Sequence, residues 1–174
     1  MGLDITAYSR LKFIERIEPV GDKWGSEIWE DKYWGTGQNT VYVSGYDQFP
    51  GRRAPLAIPP GRCVDVYSYF HSLDFRAGSY SGYNWWRNEL SLISSGMSAE
   101  NVWSSEKAVP FYELINFSDA EGVIGSVACK ELLADFEQFS GDAQRHKDPW
   151  FWEAYQKWHQ AVQLGADDGM IEFH

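Results

Sequence analysis

The sequence predicts an α+β fold: a single domain with a mostly antiparallel or mixed sheet and about three helices, concentrated in the C-terminal half. Strand-like alternation and β-branched runs dominate the first half of the chain. Helix punctuation dominates the second, and no regular strand–helix–strand alternation connects the two. The length of 174 residues is that of one domain, enough to bury about two-thirds of the unfolded surface without a metal or disulfide staple. With 44% hydrophobic and 23% charged residues the chain is not a disordered one. Nine Trp, ten Tyr and ten Phe supply large buried areas per residue, so the core needs fewer aliphatic side chains.

Leu3, Ile5 and Ala7 alternate with Asp4, Thr6 and Tyr8, which predicts a strand with one buried face. Leu11 to Ile17 reads as a second strand in preference to a short helix. Residues 18–62 read as an irregular excursion: four glycines and three tryptophans lie between 20 and 39, and Pro50, Pro55, Pro59 and Pro60 exclude helix and central strand further on. Within it, Thr40–Ser44 is a β-branched run and so a strand. Val64–Phe70 is the clearest strand. After a glycine-spaced turn, Asn84 is placed to cap a helix reaching about Ile93, ended by Ser94-Ser95-Gly96. Pro110 opens an apolar run, 111–117, buried in either state. Ser118-Asp119-Ala120-Glu121 has the capping-box pattern, and the next helix is surest from Val127 to Phe139. The last helix has Asp148 as its cap, Pro149 at its first position and Gly165 just past its end. Met170–His174 alternates and is expected to add an edge strand beside the first one.

Fifteen basic against 25 acidic residues give a net charge of -10, with -1 over residues 1–99 and -9 over 100–174. That sign disfavours binding to nucleic acid and to anionic membranes, both of which need a cationic contact face. No run approaches a membrane span, and the opening residues lack the pattern of a signal peptide. Cys63 and Cys129 have no second cysteine nearby, which fits a reduced cytoplasmic pair. The four histidines have no metal-ligand spacing, and no cofactor motif or nucleophile elbow is present.

Two segments hold candidate chemistry. The bend from Phe75 to Arg87 combines Arg76, Ser79, Tyr80, Ser81, Tyr83, Trp85 and Arg87 with two glycines ahead of a helix start. Free helix amides, small hydroxyls and arginine suit an anion, and the rings suit a planar ligand or a sugar face. Between residues 52 and 87, Arg52, Arg53, Arg62, Arg76 and Arg87 face only Asp65 and Asp74, an island of +3 in an acidic chain. Capping and packing account for many of the same residues. The second segment holds Glu113, Asp119 and Glu121, which serve either helix capping or, as a carboxylate pair, general acid–base work on sugars or nucleotides.

The strings MGLDITAY, FRAGSYSGYNWWR, PFYELINFSDAEGVIG and IEFH resemble a family of small proteins encoded by tailed bacteriophages and prophages. The resemblance covers both ends and roughly residues 64–139. It implies a context, an accessory protein in an infected bacterial cytoplasm, and no catalytic residue or cofactor.

Three functions are compatible with these residues. The leading expectation is a binding protein that sequesters an anionic small molecule, such as a nucleotide signal, or counters a host system. A second is an acidic module that imitates a phosphate backbone and blocks a host protein. The third is a small hydrolase of sugars or nucleotides using Glu113, Asp119 and Glu121.

Overall fold

Strand β1 (Gly2–Ser9) organises the molecule, because it has a partner on each side. The computed structural model describes residues 2–18, 20–21, 27–28, 33, 36–44, 49–58, 63–105 and 109–174. Along one edge β1 pairs with β7 (His71–Ser79), and along the other with β9 (Met170–Phe173), which in turn pairs with β8 (Gly122–Gly125). The order is β7-β1-β9-β8, and every pairing is antiparallel. A second antiparallel sheet has the order β2 (Lys12–Ile17), β6 (Val64–Ser68), β5 (Thr40–Ser44). Val20–Gly21 (β3) and Glu27–Ile28 (β4) form a two-stranded ladder.

Three long helices, α1 (Tyr80–Ser95), α4 (Ser126–Gln144) and α5 (Pro149–Ala166), form the helical layer, with two short ones, α2 (Ala99–Trp103) and α3 (Tyr112–Ile115), between them. The expected single α+β domain with helices gathered in the second half is therefore observed. The apolar side of β1 (Leu3, Ile5, Ala7) meets this layer in one core. Its centre is an aromatic stack: Trp158 lies 5.6 Å from Trp86 at 16° and 5.6 Å from Tyr83 at 30°, with Phe75 edge-on at 5.2 Å. Each such pair adds about 0.5–1.5 kcal/mol beyond the area it buries. The opposite side of the sheet is only partly covered. Tyr8, Val123 and Met170 pack against Val41, Val43, Ile58 and Tyr67 beneath the second sheet. Asp4, Ser72, Asp74, Arg76 and His174 on that side are exposed.

Several local expectations need correction. The helix after the bend is capped by Ser79, whose Oγ accepts from the Gly82 amide at 3.1 Å, and not by Asn84. Gly78, at φ 118°, turns β7 straight into α1, so the apparent turn is the helix's first turn. Residues 71–79 are themselves a strand, against expectation, and so are 122–125. Ser118 does not cap a helix: its Oγ accepts from the amides of Ala120 and Glu121 in a turn that enters β8. Gly165 lies inside α5, where an added Cβ would collide with Cys129 of α4, so it serves close helix packing and not termination. The tail strand β9 does lie beside β1, yet between β1 and β8 and not at an edge. Arg62 and much of the 18–62 excursion lie outside the described residues.

Candidate functional site

The two sequence-predicted segments do not form one pocket. In the bend, Tyr83 is fully buried in the aromatic stack, and burial pushes its hydroxyl well above the ordinary tyrosine range. Arg87 is 5% exposed. Its Nη1 donates to the Phe117 carbonyl at 2.9 Å, and its guanidinium lies over the Tyr83 and Trp103 rings. Asp119 stands 4.0 Å from its Nη2 and also accepts from Asn84 at 3.1 Å. Arg87, Asn84 and Asp119 thus tie α1 to the turn before β8. Arg76 lies apart, on the open side of β7, where it bridges to Asp4 at 3.4 Å with both side chains exposed.

Ser79 and Ser81 are exposed and joined by a 3.1 Å hydroxyl contact. Trp85 stays at the surface, 5.5 Å from Trp150 of α5, and Tyr80 packs against the core. Glu113 forms an ion pair with Arg52, yet burial raises its carboxyl above the usual range against that charge. Arg53 is buried.

Glu121 borders a cavity beside the main sheet. Register places Val123 opposite Glu172, and the period of two puts Glu172 and His174 on the open side of the sheet. Asp4, Thr6 and Tyr8 project to that same side, with Asp74 and Arg76 on the neighbouring strand. Asp74, Thr6, His174, Glu172 and Tyr8 form a connected strip. The Thr6 hydroxyl donates to Asp74 at 2.7 Å and lies 3.1 Å from His174 Nε2. His174 Nε2 also lies 3.9 Å from Glu172, whose Oε2 accepts from the Tyr8 hydroxyl at 3.4 Å.

Electrostatics separate the two glutamates. Glu172 has a side chain only 18% exposed, and burial raises its carboxyl above the ordinary range, against the opposing pull of His174 and the Tyr8 hydrogen bond. Tyr8 is raised in turn, first by burial and then by the Glu172 charge. Glu121 is exposed. Between them opens a cavity of about 300 Å³ bordered by Ser44, Glu121, Gly122, Val123, Glu172 and His174. That volume is at the small end for ligand pockets. Its carboxylates accept hydrogen bonds from hydroxyl or amine groups. Among the described residues no three His, Cys, Asp or Glu side chains are arranged to hold a metal ion.

Of the predicted residues only Glu121 lines this cavity. Thr6, Tyr8, Asp74, Glu172 and His174 were absent from the candidates, although the alternation in 3–8 and 170–174 already put Thr6 with Tyr8 and Glu172 with His174 on shared faces. Nothing local pointed to the pairing of the two chain ends. Cys63 and Cys129 are free thiols. No helix among the described residues is long and apolar enough to cross a membrane. The chain matches no protein-family model, no curated protein and no solved structure.

Proposed function

We propose that this chain is a bacteriophage-type accessory protein of the bacterial cytoplasm that acts by binding, and that a small hydroxyl-rich molecule occupies the cavity above β8 and β9. A sugar, or the ribose of a nucleoside, has the required chemistry. The observation that carries this reading is the shielded Glu172 carboxylate, bonded by Tyr8 and flanked by His174, facing the same cavity as the exposed Glu121. Adjacent hydroxyls of a polyol match adjacent acceptors, and a cavity of about 300 Å³ takes a single ring. All four sequence segments singled out above contribute to this face of the sheet: Asp4, Thr6 and Tyr8 from the first, Arg76 from the second, Glu121 from the third, Glu172 and His174 from the last.

The negative lining favours neutral or amine-bearing ligands here over the anion expected at the bend, where Arg87 is committed to the interior and Arg76 to Asp4. Calorimetry with neutral sugars, nucleosides and their phosphates tests the reading. A neutral member should bind, and Glu172→Gln or His174→Ala should weaken it by about tenfold, the scale of one charge-assisted hydrogen bond. Binding to none, or binding indifferent to both substitutions, rejects it.

The contrast between the two glutamates favours a second reading, hydrolysis. A carboxyl held toward its protonated form by burial suits a general acid, and an exposed carboxylate suits its basic partner. Turnover of a bound sugar or nucleoside, lost in both Glu121→Gln and Glu172→Gln, would convert the binding protein into an enzyme.

A further inference from the structure

A second concavity lies at the other end of the β5–β6 ladder from Ser44. There the turn joining β1 to β2 meets the turn joining β6 to β7, around a groove of about 350 Å³ lined by Arg10, Lys12, Ser68, Tyr69 and Phe70. Its backbone is well tied. Arg10, at φ 52°, and Leu11 donate their amides to the carbonyls of Asp167 and Asp168, Phe70 donates to Ser9, and Tyr69 to Asn39. The side chains above that frame are the reverse of the rest of this acidic protein: two cations and two rings.

Arg10 is 5.0 Å from the Phe70 ring centroid and uses Nε for Asp167 at 2.8 Å. Its two terminal nitrogens have no hydrogen-bond partner among the described residues. Lys12 is exposed and makes no ion pair among the described residues. Phe70 is 57% exposed, and Tyr69 is held from behind by Tyr8, 4.9 Å away. An exposed ring against a guanidinium, next to a second cation, is a surface that attracts a flat group bearing negative charge.

We propose that this groove binds a planar-ringed anion of mononucleotide size: the ring stacks on Phe70 and Tyr69, and the phosphate takes Lys12 Nζ and the terminal nitrogens of Arg10. The groove's volume of about 350 Å³ is at the small end for ligand pockets, which suits a mononucleotide. The site is independent of the cavity above β8 and β9, and the two ligands have opposite charge preferences.

Calorimetry of the full chain with adenosine monophosphate, adenosine and inorganic phosphate tests it. Adenosine monophosphate should bind at least about tenfold more tightly than either fragment, and binding should weaken as salt rises. Lys12→Gln and Phe70→Ala, both at exposed positions, should each reduce affinity about tenfold with an unchanged circular dichroism spectrum. Glu172→Gln should leave it intact, which separates this result from the outcome at the other cavity. No binding of adenosine monophosphate overturns the proposal, as does binding equal to that of phosphate alone or unaltered in both variants.

Discussion

Two arginines from the same bend show how burial decides what a charge does. Arg87 is enclosed by two rings, a carbonyl and a carboxylate, so Arg87→Ala should destabilise the protein by about 3 kcal/mol, because the Phe117 carbonyl and Asp119 lose their partner. Arg76 is exposed in its pair with Asp4, so Arg76→Ala should change stability by less than about 1 kcal/mol. Urea denaturation of the two variants checks both, and equal losses would contradict the assignment of Arg87 to the core. Glu172 adds a pH-dependent effect. A carboxyl whose folded value is raised supports folding while protonated. That contribution is complete below the ordinary carboxylate range and is lost as pH rises through the raised value. Glu172→Gln removes the ionisation, so its melting temperature should gain on the parent's as pH increases from about 4 toward neutrality. A gap that stays constant across a thermal denaturation series would count against the buried carboxylate. Glu113 and Asp135 are raised by burial too and act with the same sign.

At the level of elements, punctuation by glycine and serine was legible but ambiguous. A serine followed by glycine, as in residues 79–82, reads equally as a turn or as a cap with its first helical turn, and the decision rests on Gly78 adopting positive φ. Ser79→Ala should therefore cost about 1 kcal/mol of stability, while Asn84→Ala should lose only its bond to Asp119. Gly169 is constrained in another way. A Cβ there would strike the carbonyl oxygens of Tyr8 and Leu164, backbone atoms that cannot swing aside. Gly169→Ala should cost about 1–3 kcal/mol in chemical denaturation, and a variant as stable as the parent would refute the close docking of the α5–β9 turn on β1. Strands β7 and β8 escaped sequence reading for a different reason. Residues 71–79 contain Asp74, Arg76 and Gly78, and β8 is four residues long with a glycine at each end, so their strand state comes from pairing with β1 and β9 and not from propensity.

Over the whole molecule, the chain ends hold the main sheet together. β9 bridges β1 and β8, so removing residues 170–174 would separate β8 from the sheet and expose Leu3, Ile5, Trp158 and their neighbours along one side. A chain ending at Gly169 should lack a cooperative thermal transition; one that melts like the parent would mean that the C-terminal strand is dispensable. Charge acts at the same scale. Part of the acidic second half is paired, with Asp167 on Arg10, Asp168 on Lys130, Asp142 on Arg145 and Glu113 on Arg52.

The fold class, most of the strands and long helices, the Asp148–Pro149 helix start and the polar side of β1 were all present in local patterning, because periodicity and capping depend on residues a few positions apart. The cavity depended on contacts roughly 50 to 170 residues apart in the chain: Thr6 with His174, Tyr8 with Glu172, and β8 with β9. Local patterning contains no information about strand order, and strand order is what set Glu121, Glu172 and His174 around one space while dispersing Arg76, Arg87 and Glu113.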